Sequence, residues 1–168
     1  AKNHHTQNLC VWVFERLTSD TLKEKENEKR TAHKFYVDNE IHHLHRANDI
    51  DYEEASTKHN YDKGHMAAAT NHQRSVKAMN DTFLYSNACP QHGTCNKGVW
   101  KSLEQSIKNQ LRRGGDSHGY PIIDVVSGPL FLSKEKEGEK YVTYNVIGLN
   151  EIAVPTHFFK IVYYRDEN

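Results

Sequence analysis

The stretch that decides the fold reads Asp62-Lys63-Gly64-His65, followed directly by the small-residue run Met66-Ala67-Ala68-Ala69. A histidine directly after a glycine, at the start of a stretch that continues into alanines, has few side chains in its way. Its imidazole is therefore expected to stay exposed where the backbone approaches a large polyanionic ligand. A polar cluster at residues 86–91, then Asn96, then a helical segment with Glu104 follow further along the chain. A Gly-His turn followed by amide side chains and an acidic helix indicates a metal-assisted hydrolase.

The segment around Glu104 predicts the clearest helix of the chain, over residues 97–113. Its apolar side chains recur every three or four residues and form one stripe: Trp100, Leu103, Ile107 and Leu111. The pair Gly114-Gly115 predicts where this helix ends. Glu104 and Lys108 lie one turn apart beside the stripe, so both can point toward the same edge of a site.

The remaining segments favour strands over helices. Four strands are predicted from runs of β-branched and aromatic residues, at residues 9–17, 121–132, 141–149 and 152–164. Gly128-Pro129 is expected to break the second of them. Residues 72–83 predict an amphipathic helix and residues 84–87 a short strand, whereas most of the stretch 35–61 is interpreted as irregular. Strands that do not alternate with helices indicate an α+β fold, a mainly antiparallel sheet flanked by helices.

The length of the chain is typical of one domain, and its composition gives no net charge. The chain has 168 residues, and 1–168 is interpreted as a single domain with its own core. Its 22 basic side chains match 22 acidic ones, which argues mildly against a nucleic-acid binder, because phosphate contacts usually come from a basic surface. No apolar run approaches the about 18 residues of a membrane helix, and no signal-peptide pattern opens the chain, so no membrane segment is expected.

Three cysteines are too few for a disulfide scaffold, but their spacing leaves alternatives open. The pattern Cys89-x-x-His92-x-x-Cys95 has intervals at which zinc ligands occur, yet no fourth ligand is evident. A loop in which Cys89 and Cys95 merely lie close, or form a disulfide under oxidising conditions, is at least as good an interpretation. Cys10 is interpreted as a buried residue of its strand.

The side chains of His65, Asn96 and Glu104 have the chemistry needed to cut a phosphodiester. A histidine can act as a base near neutral pH, and an amide oxygen with an outer carboxylate suits a hard cation that keeps several waters. Spacing alone leaves an equal alternative, in which His65 is a turn residue, Asn96 a helix N-cap and Glu104 a solvated helix residue.

Further motifs occur in a fixed order between Trp12 and Lys160. Besides the stretch that begins at Asp62, they are Lys77-Ala78-Met79-Asn80-Asp81-Thr82-Phe83, Ser86-Asn87-x-x-Pro90-Gln91, Asn96-x-x-x-Trp100-x-x-Leu103-Glu104, Gly128-Pro129-Leu130-Phe131-Leu132 and Val154-Pro155-Thr156-His157-Phe158-Phe159-Lys160. Together these motifs resemble those of the DNA/RNA non-specific endonucleases. Agreement at so many separated points exceeds what chance gives.

This resemblance implies a ββα-metal nuclease core and an endonuclease that cuts single- and double-stranded DNA as well as RNA, leaving 5′-phosphate and 3′-hydroxyl ends. It implies that His65 is the general base. It also implies that Asn96 is the direct ligand of Mg²⁺, or of Mn²⁺ in its place, and that Glu104 holds a water of that cation. Asn87 matches a family position at the active site and is expected to orient the cluster. A mitochondrial location and a homodimer are implied as well.

Two lysines beside the expected site, Lys63 and Lys108, are expected to contact phosphate oxygens as point charges. Members of the family usually carry arginine at the position of Lys63, and lysine lacks the planar two-point grip of arginine on phosphate, so weaker binding or turnover is expected. Relative to the family, the chain is expected to be truncated at both ends. These departures support a second hypothesis, a catalytically weak or inactive homologue that binds nucleic acid or acts in an assembly.

Overall fold

The computed structural model describes residues 2–4, 7–23, 33–113 and 120–165. The strands in chain order are β1 (Lys2–His4), β2 (Leu9–Thr18), β3 (Tyr61–His65), β4 (Ala88–His92), β5 (Ile122–Leu130), β6 (Lys134–Lys136), β7 (Glu139–Tyr141), β8 (Val146–Ile147), β9 (Ile152–Ala153) and β10 (His157–Arg165). The α-helices are α1 (Asp49–His59), α2 (Val76–Asp81), α3 (Gly93–Cys95) and α4 (Lys101–Arg112), and the π-helical segment Asn96–Trp100 joins α3 to α4.

The main sheet is antiparallel, with the strand order β1-β2-β5-β10. One face of this sheet packs against α4, whose side chains Ile107 and Leu111 are buried with Leu17, Ile123 and Val125 of the sheet. The stripe of α4 predicted from sequence therefore provides the helix-on-sheet layer, although Leu103 of the same stripe is exposed. The predicted end of the helix at 114–115 lies outside the described residues.

A smaller sheet, formed by β3 and β4, carries the candidate residues. The two strands pair antiparallel, so that Gly64 lies opposite Cys89 and His65 opposite Ala88. β4 continues directly into α3, the π-helical segment and α4. Trp100 of that helical segment donates a hydrogen bond from Nε1 to the carbonyl oxygen of His65, at 3.1 Å. Two strands followed by a helix, beside a mainly antiparallel sheet, confirm the predicted α+β fold with its ββα core.

Gly64 is explained by packing inside this small sheet rather than by the approach of a ligand. A Cβ atom at this position would lie 2.4 Å from Oε1 and 2.7 Å from Cβ of Gln91. Gln91 is fully buried and has little room to move away. The glycine therefore allows the side chain of one strand to lie across the backbone of the other.

The helix α1 occupies a stretch that was predicted to be irregular, and that prediction is wrong. Its start has a complete capping box: the side chain of Asn48 accepts a hydrogen bond from the backbone of Ile50, and the carboxylate of Asp51 accepts one from the backbone of Asn48, both at 2.9 Å. Tyr52 and Ala55 are its buried apolar residues. So short an apolar face gives a weak periodic signal, whereas the cap itself stabilises the start of the helix.

The predicted break at Gly128-Pro129 is also wrong, because β5 continues to Leu130. β2 pairs with β5 only as far as Ser127, so the missing backbone N–H of Pro129 removes no hydrogen bond on that side. A Cβ at Gly128 would lie 2.6 Å from the carbonyl oxygen of Val11, so glycine lets the chains come close there.

Further local predictions also differ from the structure. Residues 84–87 were predicted as a strand, but Tyr85–Asn87 form a 3-10 turn and β4 begins only at Ala88. The predicted strand 141–149 is reduced to the end of β7 and the short β8. Residues 141–146 are all exposed, so the alternation of apolar and polar side chains there does not correspond to a buried face of a sheet. The predicted helix 72–83 is shortened to α2.

Among the described residues, no helix is both long and apolar enough to cross a membrane.

Candidate active site

A cleft of about 400 Å³ brings together four of the residues singled out from sequence. β3 contributes Lys63 and His65, the start of the π-helical segment contributes Asn96, and the first turn of α4 contributes Glu104. All four side chains therefore belong to the ββα unit, which forms one side of the cleft. These residues are far apart in sequence and meet only because β3 and β4 pair beside the helix.

His65 forms part of the cleft wall, but its ring is not exposed as expected. Only 8% of the residue is accessible, because the ring of Phe35 lies 4.7 Å and that of Phe83 4.9 Å from the imidazole, measured between ring centroids. The prediction of an exposed imidazole is wrong for this reason. The rings and the hydrogen bond from Trp100 restrict the position of His65 at the cleft surface.

The amide of Asn96 is oriented by a charged neighbour. Its Nδ2 donates a hydrogen bond to Oδ2 of Asp62 at 3.0 Å, and Lys97 contacts the same carboxylate oxygen at 2.8 Å. With Nδ2 engaged in this way, the carbonyl oxygen is the amide atom left for a ligand in the cleft. Sequence reasoning assigned no role to Asp62, although Asp62 opens the very motif that contains His65. π-helical segments of this kind are frequent at functional sites.

Lys160 is a further charged residue beside the cleft that sequence reasoning missed. Its ammonium donates to Oγ of Ser127 at 2.6 Å and lies 4.4 Å from the ring centroid of Trp100. Burial lowers the pKa of Lys160, while the negative charges of Glu15 and Glu104 act in the opposite direction. The only sequence signal was its place at the end of the motif Val154–Lys160. Lys160 therefore balances acidic side chains next to the cleft.

Lys63 shares its cleft wall with an acidic residue that was not singled out, Asp49. The ammonium of Lys63 and the hydroxyl of Tyr85 both donate hydrogen bonds to the carboxylate of Asp49. These two contacts, that of Lys63 first, lower the pKa of Asp49 below its ordinary value. Burial and the neighbouring Asp49 raise the pKa of Tyr85, so its hydroxyl remains a donor. The lysine expected to contact phosphate thus already contacts an anion of the protein.

Asn87 lies outside the lining of this cleft and acts on the backbone. It is buried, its Oδ1 accepts from the backbone of Ala67 at 2.9 Å, and its Nδ2 donates to the carbonyl oxygens of Ala67 and Thr82 at 2.9 and 2.8 Å. The carbonyl oxygen of Asn87 also accepts from the backbone of Met66 at 2.9 Å. These bonds fix the segment that directly follows His65.

Lys108 is not brought to the cleft surface with the other candidates. It follows Glu104 by one turn of α4, as expected, but the residue is buried and does not line the cleft. A lysine in such a place does not have the accessibility of a surface phosphate contact.

The zinc and disulfide interpretations of the cysteine motif find no support. The sulfur of Cys89 faces that of Cys10 at 3.7 Å in the core, whereas the sulfur of Cys95 accepts a hydrogen bond from Nε2 of Gln91 at 3.6 Å. All three cysteines are free, and burial raises the pKa of Cys89. Across the part of the chain that the structure describes, no group of three or more His, Cys, Asp or Glu side chains is placed to hold a metal ion.

Comparisons with known proteins identify the family of this chain. A family model described as DNA/RNA non-specific endonuclease matches residues 2–168. The chain is 41% identical over 154 residues to mitochondrial Endonuclease G of Bos taurus, covering 91% of this chain and 48% of that protein. It is 35% identical over 164 residues to the mitochondrial nuclease of Saccharomyces cerevisiae, covering 95% of this chain and 46% of that protein.

The chain also matches a solved structure, the crystal structure of an EndoG/EndoGI complex that concerns the mechanism of EndoG inhibition. The TM-score is 0.87 and the sequence identity is 34%. The match covers 99% of this chain and 64% of that chain. This chain spans about half the length of the curated relatives it matches. The family resemblance predicted from the motifs, and within the family the likeness to mitochondrial endonuclease G, is confirmed.

Proposed function

Because the chain belongs to the DNA/RNA non-specific endonuclease family, we propose that it is a magnesium-dependent endonuclease that hydrolyses phosphodiester bonds of DNA and RNA. The observation that carries this proposal is the single cleft lined by His65, Asn96 and Glu104. A base, an amide oxygen and a carboxylate around one cavity are the groups that metal-assisted hydrolysis of a phosphodiester requires.

The donor atoms of the cleft fit a hard divalent cation. The amide nitrogen of Asn96 donates a hydrogen bond to Asp62, so the amide oxygen of Asn96 is the atom that would ligate the cation. Glu104 would hold water belonging to the hydration shell of the cation. So few protein ligands suit Mg²⁺, which retains several waters, and Mn²⁺ can take its place. When bound, the cation supplies positive charge to the phosphate and to the leaving oxygen.

His65 would take the proton from the attacking water. Phe35 and Phe83 restrict its ring, and Trp100 and Asn87 hold the peptide that links His65 to Met66. Attack at phosphorus opposite the 3′ oxygen breaks the bond to that oxygen. The products then carry 5′-phosphate and 3′-hydroxyl ends.

The side chains around the cleft favour contacts with the sugar-phosphate backbone. Lys63 would contact a phosphate from the cleft wall, whereas the buried Lys108 would act through its charge alone. Contacts to phosphate and sugar carry no base sequence, so single-stranded and double-stranded DNA and RNA would all be substrates. The relatives named above are mitochondrial, so we include a mitochondrial location in the proposal, together with a homodimer to be tested by sedimentation equilibrium.

Cleavage of supercoiled plasmid and of single-stranded RNA tests the proposal, first with Mg²⁺ and then with a chelator added. We expect chelator-sensitive cutting, and a loss of about 10²- to 10⁴-fold in His65→Ala, the range for removal of a general base. The matched control is His59→Ala, which removes an exposed histidine outside the cleft and should cut like the wild type.

No chelator-sensitive cutting, or equal cutting by His65→Ala, would refute the proposal. The contact of Lys63 with Asp49 favours one alternative, a weak or inactive homologue that binds nucleic acid. That alternative predicts retained binding of DNA without cleavage, and efficient turnover would exclude it.

A further inference from the structure

The ammonium group of Lys63 is held from several sides in the cleft wall. Its Nζ donates to Oδ1 of Asp49, and the side chain of Lys63 is 29% exposed. Nζ also lies 5.3 Å from the ring centroid of Tyr85, 5.7 Å from that of Phe35 and 5.9 Å from that of Tyr52. These distances are within the range of cation–π attraction. The ammonium group of Lys63 therefore has a defined position, and the carboxylate of Asp49 lies in contact with it.

Asp49 brings a negative charge to the same cavity as the catalytic candidates. Hydrogen bonds from Lys63 and Tyr85 keep its carboxylate ionised by lowering its pKa. It lies in the first turn of α1, and 73% of its side chain is exposed, so the carboxylate stands at the solvent side of the cleft. An incoming polyanion would meet this charge at the entrance.

We propose that Asp49 determines how tightly the cleft binds nucleic acid, because its carboxylate occupies the position at Lys63 that a substrate phosphate would take. Carboxylate and phosphate present the same kind of anionic oxygen to an ammonium group, and lysine offers each of them a point charge. The phosphate must displace Asp49 or share Lys63 with it against like-charge repulsion. This inference rests on the proposed function and names a residue that sets substrate affinity at the same site.

Direct binding tests the inference independently of turnover. The probe is a fluorescently labelled single-stranded DNA oligonucleotide, and its anisotropy is followed in the presence of a chelator. Asp49→Asn keeps the size of the side chain and removes the charge, and we expect binding about threefold to tenfold tighter, the scale of one charge contact at a partly exposed site. In a Lys63→Ala background the same substitution should gain much less, because the group that both anions share is gone.

Glu54→Gln is the matched control for net charge. It removes one acidic charge from the same helix, at an exposed position outside the cleft where Glu54 pairs with Lys58. We expect binding by this variant to equal that of the wild type. Circular dichroism verifies folding, and Asp49→Ser serves as the second variant if Asp49→Asn does not fold.

Unchanged binding by Asp49→Asn would overturn the inference. Weaker binding would overturn it as well, and would instead assign Asp49 the role of holding Lys63 in position for substrate. An equal gain in the Lys63→Ala background, or from Glu54→Gln, would overturn it as well, since the effect would then be one of overall charge. So would the absence of binding in every variant. A chain that shows the expected binding pattern but never cuts would refute the proposed endonuclease and leave the role of Asp49 in place.

Discussion

The floor and the mouth of the cleft are built in different ways. We call the lining residues His65, Asn96 and Glu104 the floor, and we call the lining residues Lys63 and Asp49, which form an ion pair, the mouth. On the floor, aromatic rings cover His65 and a carboxylate holds the Asn96 amide, so the two groups are restricted in orientation. At the mouth, the two opposite charges are partly in solvent. Under the two proposals made above, the floor fixes the geometry of the chemistry, whereas the mouth adjusts affinity.

The strongest test of this comparison removes the support of the floor. Asp62→Ala leaves the Asn96 amide free to turn, because Asp62 holds its nitrogen. Loss of such a supporting contact typically weakens metal affinity or activity by about tenfold to a hundredfold. The measurement is Mn²⁺ binding followed by electron paramagnetic resonance, with plasmid cleavage measured in parallel over a range of Mg²⁺ concentrations.

Lys97→Ala is the control for Asp62→Ala. It removes the other partner of the Asp62 carboxylate but leaves the contact to Asn96 intact, so only a small change is expected. If Asp62→Ala bound Mn²⁺ as tightly as the wild type, the floor would not depend on this carboxylate.

A second test concerns the packing below the floor. Gly64→Ala places a methyl group against Gln91, so we expect a loss of about 1–3 kcal/mol in the free energy of unfolding, the usual result of overpacking. Urea denaturation measures it. Lys101→Ala is the control in the same ββα unit, because this side chain is exposed in the first turn of α4. Equal stability of the two variants would show that Gln91 adapts and that the packing is loose.

The smallest expected effect concerns the mouth. The folded pKa of Asp49 is lowered, so the contact with Lys63 stabilises the fold above the ordinary aspartate value and loses this contribution as the pH falls through the folded value. Since the pair is exposed, Asp49→Asn should cost no more than about 0.5 kcal/mol at neutral pH. The difference from wild type should shrink below about pH 4 in urea denaturation. A difference that grows in acid would contradict this assignment.

The sequence predicted which side chains meet on the floor better than it predicted the contacts that support them. His65, Asn96 and Glu104 lie in motifs with a recognisable spacing, and the stripe of α4 has the period of a helix. The contacts of Asp62 with Asn96 and of Asp49 with Lys63 depend on how separate elements approach one another, which local pattern does not encode. The same holds for Lys160, whose neighbours come from three other segments.

One of the elements that was not predicted, the helix α1, nevertheless has a local signal in the sequence. Asn48 and Asp51 have the spacing of a capping box, which marks the start of α1 even though the helix has a short apolar face. Gly128-Pro129 could not be interpreted correctly, because a proline is compatible with a strand where its missing N–H removes no ladder hydrogen bond. Here the pairing with β2 has ended at Ser127, although β10 still pairs with Pro129. That information belongs to the register of the main sheet.

The most direct measurement separates the base from the metal ligand on the floor. Binding of Mn²⁺ and cleavage of plasmid are measured for His65→Ala and for Asn96→Ala under the same conditions. We expect His65→Ala to bind the cation while its cutting falls about 10²- to 10⁴-fold, and we expect Asn96→Ala to lose both cation binding and cutting. Loss of cation binding in His65→Ala, or undiminished binding in Asn96→Ala, would contradict this expectation.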